Sequence, residues 1–276
     1  MTSMTGPADR YIELMMGCLT RELFLDQEVR DIDLEQWPGD RDDLLATLRP
    51  RGWRLVEHAA DPETRAVGHD WPPTAETMVG RARLRNVAEC ARRALDDGVP
   101  GDFVETGVWR GGVCILMRAI LAAHGDTERT VWVADSFQGI PPPDAQRYPA
   151  DDGIDFSGVA ALAVSAEQVR ANFNRYGLLD GQVRFLEGWF EDTLPDAPIE
   201  HIALLRLDGD LYQSTMDALT ALHPKVSPGG HVIIDDYLAW DGCRAAVDDY
   251  RAEQGIDDEL IEIDWAGVYW RRTSDG

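Results

Sequence analysis

Apolar and polar positions follow different patterns in the two parts of this chain. From Gly101 onward, short apolar runs rich in β-branched residues alternate with stretches whose apolar side chains recur every three or four positions. That alternation is the signature of a parallel sheet wound with helices. The runs predict strands over Asp102–Thr106, Thr130–Asp135, Val183–Glu187, Ile202–Asp208 and Gly230–Asp235, with two more at Leu260–Asp264 and Gly267–Arg271. Several are continuously apolar and end in an acid, as strands covered on both faces do. Helices are predicted at Gly112–Ala123, Ser165–Tyr176, Ser214–His223 and Cys243–Gln254. Only Trp265-Ala266 separates the last two strands, which predicts a closing antiparallel hairpin on an otherwise parallel, doubly wound sheet of seven strands.

The first hundred residues lack this alternation. Tyr11–Leu25 predicts an amphipathic helix with Ile12, Met15, Met16 and Leu19 on one face, and Thr77–Leu95 predicts another. Between them, Gln27–Asp70 is polar and rich in Pro, Gly and acids, which predicts loops, short helices or partial disorder. The expected plan is a helical extension over residues 1–97 and an α/β core over residues 98–276. Within the core, Phe137–Val164 carries Pro141-Pro142-Pro143 and several acids, so it reads as a lid or mobile loop. The methionine-bearing stripe of the first helix suits core packing or a contact between copies, and a homodimer or higher homo-oligomer is expected.

Composition narrows the function classes. A net charge of −24 over 276 residues repels nucleic acid and anionic membrane surfaces, although solubility alone also explains an acidic surface. No apolar run is long enough to span a bilayer, and Met1–Arg10 lacks the basic and apolar segments of a secretory signal. The four cysteines, Cys18, Cys90, Cys114 and Cys243, form no CxxC pair, which argues against a zinc site or a disulfide framework. A reduced, cytoplasmic protein is expected.

The candidate chemistry stands where strands end, the usual ligand-binding place of an open α/β sheet. Glu105-Thr106-Gly107-Val108-Trp109-Arg110-Gly111-Gly112 follows the first strand. Its glycines let the backbone turn sharply and approach a ligand. The spacing is not GxGxxG, and an acid followed by Gly-x-x-x-Gly suits a ligand with a cationic amino group better than a pyrophosphate. That points to S-adenosylmethionine, with a plain tight turn as the other source of such a pattern. Asp135, followed by Ser136, ends the second strand, where a carboxylate accepts the hydroxyls of a ribose or caps a turn. Arg206-Leu207-Asp208-Gly209-Asp210-Leu211-Tyr212 and Ile233-Ile234-Asp235-Asp236-Tyr237 put four carboxylates at two neighbouring tips. Crowding like charges is costly unless a cation compensates them. Hard oxygen donors without Cys or His point to Mg2+, with Mn2+ or Ca2+ as the other hard choices. Solvated loop acids are the alternative reading. A nicotinamide oxidoreductase would need a GxGxxG turn and a Tyr-Lys or His relay, and neither is visible. His124, His201, His223 and His231 lie in or beside core elements and read as structural.

Together with Asp135-Ser136-Phe137-Gln138-Gly139 and Gly188-Trp189-Phe190, these motifs resemble the macrocin O-methyltransferase family, whose members methylate deoxysugars of mycinamicin, tylosin and novobiocin. The resemblance runs from about Trp71 to Arg272. It implies a Rossmann-like class I methyltransferase fold, S-adenosylmethionine, Mg2+ and a glycoside substrate bearing the sugar hydroxyl. It places Asp208, Asp235 and Asp236 at metal-ligand positions and Asp210 at that of the general base. Glu105, Thr106, Gly107, Asp135, Ser136, Gly188, Trp189 and Asp208 fall where the cofactor is held, with Trp189 suited to stack near adenine. Thr77-Met78-Val79-Gly80 with Arg83 resembles the N-terminal cofactor cover. A catechol-like vicinal diol is the alternative acceptor, but catechol-type enzymes usually carry an Asp-Asn pair where this chain has Asp235-Asp236, which favours the sugar-modifying branch. A cofactor-binding scaffold without activity is the non-enzyme alternative.

Overall fold

The computed structural model describes residues 6–35, 37–58 and 61–273. Helix α1 (Pro7–Leu19) buries Ile12, Met15, Met16 and Leu19, so the methionine stripe belongs to the core of the chain itself. The helix stops well before Leu25 because Arg21 takes a left-handed conformation at φ 63°. Residues 22–27 continue only as a 3-10 turn.

The polar stretch that follows contains a feature the composition does not predict. Strand β1 (Val29–Asp31) pairs antiparallel with β2 (Val56–His58), and the two enclose α2 (Arg41–Leu48). These strands are three residues long and largely exposed, too short for a period-two signal to rise above the polar background. Asp40 caps α2 by accepting the Asp42 and Asp43 backbone N–H groups. Helix α3 (Pro62–Val67) is anchored differently, through a buried arginine. Arg65 donates to the carbonyls of Met78 (2.6 Å) and Val79 (3.1 Å) and pairs with Asp70 at 3.0 Å. That holds the backbone before Gly80 against α3, and α4 (Arg81–Asp96) begins at the Gly80 cap and not at Thr77.

The core follows the predicted alternation: β3 (Asp102–Thr106), α5 (Gly112–Ala123), β4 (Val131–Asp135), α6 (Ala166–Arg175), β5 (Val183–Glu187), α7 (Phe190–Thr193), β6 (Ile202–Leu207), α8 (Tyr212–Leu222), β7 (Val226–Ile234), α9 (Asp241–Gln254), β8 (Ile261–Glu262) and β9 (Val268–Arg271). The sheet order is β5-β4-β3-β6-β7-β9-β8. The first five strands are parallel, and β9 runs antiparallel to both β7 and β8. This is the seven-stranded α/β plan with its closing hairpin. Strand β7 begins at Val226, earlier than expected, because Pro228-Gly229-Gly230 hides a strand whose register shifts against β6. One apolar cluster packs α1, α4, α5 and α6 on one face of the sheet, and a second packs α8 and α9 on the other. All four cysteines are free thiols. No helix among the described residues is long and apolar enough to cross a membrane.

Register aligns the strand ends. Thr106 pairs with Ala134 on one side and Leu207 on the other, and Leu207 pairs with Ile234. The next residue of each strand therefore falls in one row: Gly107, Asp135, Asp208 and Asp235.

Two core histidines create an acid liability. His231 is 1% exposed and neither ring nitrogen has a hydrogen-bond partner. Burial holds its pKa down at about 4, with Arg271 and Arg93 adding to the effect. His223, packed against Tyr250 and Trp270, is depressed to about 4 mainly by burial. A depressed histidine stays neutral in the fold while the unfolded chain takes up a proton below pH ~6.5. Stability is therefore full above that value and declines as pH falls towards 4. Each such group contributes a slope of about 1.4 kcal/mol per pH unit in that window. Replacing His231 by Leu should leave stability at pH 8 nearly unchanged and remove about 2 kcal/mol of the loss between pH 6.5 and 5. Urea unfolding at both pH values checks this, and identical pH slopes for the two proteins would refute it.

Candidate active site

Three of the tips enter the left-handed region on non-glycine residues. Trp109 (φ 48°), Phe137 (φ 55°) and Asp210 (φ 54°) stand just beyond β3, β4 and β6. Such conformations persist only where surrounding contacts over-determine them, and they cluster at functional sites. Gly107 adds a close approach: at φ 75°, a Cβ on it would lie 1.8 Å from the Asp208 carbonyl oxygen. The glycine turn after β3 is thus seated directly on the acidic motif after β6.

The residue that organises the site is Arg206, on β6 between the two halves. It is 1% exposed and ion-pairs with Glu105, with Asp208 (2.9 Å) and with Asp235. Arg83, from α4, pairs with the other oxygen of Asp235 and with Asp264 at 3.0 Å. Burial alone would lower the pKa of Arg206, yet the carboxylates of Asp235, Asp208 and Glu105 outweigh it and raise that pKa well above the usual value. Burial also works against Asp235, and there Arg206 and Arg83 win and hold the carboxyl below its ordinary range. Glu105 is pushed up to about 7 by burial, against the pull of Arg206 and a hydrogen bond from the Cys114 thiol at 2.7 Å.

The remaining acids are less compensated. Asp208, Asp210 and Asp236 each place a carboxylate oxygen within 4.8 Å of the others. All three have raised pKa values, chiefly through burial and then through one another and Asp235. A group of oxygen donors with surplus negative charge suits a hard divalent cation.

Asp208, Asp210, Asp235 and Asp236 share one cavity of about 650 Å³ with Thr77, Met78, Arg83, Glu105, Gly107, Asp135, Ser136 and Trp189. That volume lies within the range of small-molecule sites. Thr106 and Gly188 are not on its wall; Thr106 is fully buried beneath it. Asp135 is fixed from both sides, since its Oδ2 accepts the Val108 N–H and its Oδ1 the Phe137 N–H, each at 2.7 Å. Burial raises its pKa and these backbone donors oppose the rise. Thr77 accepts the Val79 N–H through its hydroxyl, shaping the cover over the cavity. Five tryptophans line the space: Trp71, Trp109, Trp189, Trp240 and Trp265. Residues 137–164 add a further wall, from residues 139–144, Asp151, Phe156 and Leu162, with two short 3-10 turns, Pro149–Asp151 and Ala160–Leu162.

Three contributors were not singled out in the sequence. Arg206 carried a signal, because a charge inside the apolar run Ile202–Leu207 needs buried partners. Asp151 and Trp265 carried none, since their roles depend on distant chain.

Comparison with known proteins places this geometry. The family model described as Macrocin-O-methyltransferase (TylF) matches residues 8–272. The chain is 54% identical over 251 residues to an 8-demethyl-8-(2,3-dimethoxy-alpha-L-rhamnosyl)-tetracenomycin-C 4'-O-methyltransferase of Streptomyces olivaceus, covering 90% of this chain and 95% of that protein. It is 58% identical over 212 residues to the demethyldecarbamoylnovobiocin O-methyltransferase of Streptomyces niveus, covering 76% and 81%. It is 52% identical over 223 residues to the mycinamicin III 3''-O-methyltransferase of Micromonospora griseorubida, covering 80% and 87%. Among solved structures, the O-methyltransferase NovP superposes with a TM-score of 0.83 at 49% identity, over 97% of this chain and 100% of that one. The calicheamicin methyltransferase CalS11 shares the fold at a TM-score of 0.54 and 18% identity, over 97% and 93%.

The arginine at the centre gives a stability test. Replacing Arg206 by Leu strands two buried acids, Glu105 and Asp235, and the part-buried Asp208 without their shared cation, and removing one partner of a buried pair costs about 3–5 kcal/mol. Urea unfolding should show a loss of that size, with a smaller loss for Arg206→Lys, which keeps the charge but not the planar fork. Wild-type stability in the leucine variant would mean that the network is not needed to hold the tips together.

Proposed function

The chain belongs to the macrocin O-methyltransferase family and is an O-methyltransferase, and from this we propose that it methylates a sugar hydroxyl of a glycosylated natural product, with S-adenosylmethionine as donor and a divalent cation, Mg2+ first, at the acid cluster. The observation that carries the reading is the meeting of two sites in one cavity. The glycine turn and Asp135 line the same cavity as the cluster of Asp208, Asp210 and Asp236.

On this reading Asp135 offers its remaining lone pairs to a ribose diol, held in place by the Val108 and Phe137 N–H groups. Trp189 lines the cavity where a flat base stacks. Asp208 and Asp236 hold the cation, and Asp235 adds to them only through lone pairs left over from Arg83 and Arg206. Once bound, the donor would supply an already activated methyl group, and the cation would lower the pKa of the acceptor hydroxyl. Asp210 would take up the hydroxyl proton as the methyl passes from the donor's sulfur to the acceptor oxygen. A carboxylate with an ordinary pKa of about 3.9 cannot deprotonate a hydroxyl near 15.7 unaided, so its part is to collect the proton during transfer. The cavity walls supply alignment, for which effective molarities reach roughly 10⁵–10⁸ M. The surplus charge on the three acids is what recommends them for a cation, since each is otherwise driven towards its protonated form.

The test combines purified protein and S-adenosylmethionine with a panel of deoxysugar glycosides and a simple catechol, in Mg2+ or in EDTA, followed by product mass. Expected is a single methyl added to the sugar and abolished by EDTA. Transfer that ignores EDTA would remove the cation from the reading, and methylation of the catechol alone would remove the sugar. Asp210→Asn should lower turnover about 100-fold or more, the scale of lost general base catalysis, while calorimetry shows unchanged binding of S-adenosylhomocysteine.

A further inference from the structure

One buried carboxylate at the cavity wall has no part in the reading above. Asp151 ends the 3-10 turn Pro149–Asp151 and is 1% exposed. Among the described residues it has no cationic partner within ion-pair distance. Its donor is a backbone group: Oδ1 and Oδ2 lie 2.9 and 3.2 Å from the Tyr212 nitrogen. Burying an acid against a single N–H is costly, which makes the contact informative.

Tyr212 is the first residue of α8, and its N–H is one of the groups a helix cannot satisfy internally. It stands two residues after Asp210, whose left-handed backbone must be held by what surrounds it. The chain also keeps space for this contact. A Cβ on Gly242, in the first turn of α9, would lie 1.9 Å from Asp151 Oδ1 and 3.1 Å from the Tyr212 nitrogen. Around it, the rings of Tyr148 and Tyr212 stack at 4.8 Å, and Phe156 meets Trp240 edge-on at 5.2 Å.

We propose that Asp151 is a positioning residue for methyl transfer: it locks the 137–164 wall onto the first turn of α8 and so fixes Asp210 beside Asp208 and Asp236, with Gly242 as the space that admits it. On this proposal the carboxylate acts through the Tyr212 N–H. Misplacing a reacting group by about 1 Å can cost 100-fold in rate, so a loosened helix start is expected to register in turnover.

Gly242→Ala is the decisive variant, because the ordinary effect has the opposite sign. Alanine in a helix is favoured over glycine by about 0.5–1 kcal/mol, so a loss in Gly242→Ala has to come from the collision of its Cβ with Asp151 Oδ1 and its close approach to the Tyr212 nitrogen. We expect Gly242→Ala and Asp151→Ala each to speed amide exchange in the segments around Tyr212 and residues 145–160. Asp151→Asn keeps an acceptor oxygen and should retain protection. With a glycoside that the wild type methylates, both disruptive variants should lower kcat tenfold or more and move the acceptor KM less than threefold. The Gly242→Ala/Asp151→Ala double variant should fall no further than either alone, as for two parts of one contact.

Wild-type exchange in Gly242→Ala overturns the proposal, as do losses that multiply in the double variant. A rise in KM with unchanged kcat also overturns it, reducing Asp151 to a wall of the acceptor space. The kinetic arm rests on the proposed function; the exchange arm needs no acceptor, so an incorrect glycoside reading leaves the clamp decidable.

Discussion

The site depends on one requirement: several carboxylates must sit at adjacent strand tips without driving the tips apart. Arg206 meets it from within the sheet. Placed on the central strand β6, it reaches Glu105 on β3, Asp208 just past its own strand and Asp235 just past β7. A guanidinium suits this task because it stays charged when buried and offers donors in a planar fork. Arg83 repeats the device from outside the sheet and brings α4 and the β8–β9 turn into the same network. The result is an asymmetric distribution of charge. Asp235 is fully compensated, whereas Asp208, Asp210 and Asp236 retain an excess that faces the cavity.

Much of this was legible along the chain, for physical reasons. Strands covered on both faces read as apolar runs, and acids at their ends read as strand tips, so the core order and the motif positions followed directly. The four aspartates were gathered by topology alone, since neighbouring parallel strands bring their ends together. Other features depend on contacts between distant residues. No local pattern says that Asp235 faces two arginines, or that Thr106 lies beneath the cavity and not on its wall. The β1–β2 pairing was hidden because three largely exposed residues on each strand carry no periodicity. Asp151 lay in a stretch read as irregular, and irregular backbone is where sequence patterns carry least information.

The two walls of the cavity are ordered by different means. The cover is held by Arg65 through the carbonyls of Met78 and Val79 and by Arg110 through those of Pro72 and Ala75. The 137–164 wall is held by side-chain rings, by Asp151 and by the Trp109 indole donating to the Ala161 carbonyl at 2.8 Å. Backbone carbonyls are generic partners, so the cover tolerates change in its own side chains. The 137–164 wall relies on particular side chains at Tyr148, Asp151 and Phe156, and its shape is correspondingly tied to their identity.

Trp265 binds the two ends of the chain to each other. Its indole donates to the Val67 carbonyl at 2.8 Å and meets His69 edge-on, while Arg83 lies over its face. This part of the cavity wall is therefore built by segments almost two hundred residues apart in sequence. For recombination among relatives this sets a rule of inheritance. An exchange that brings in a new N-terminal extension without its matching C-terminal hairpin separates Trp265 from Val67 and Arg83 from Asp264. The two ends form one unit of descent although the chain writes them apart, and chimeras that carry them together keep this wall intact.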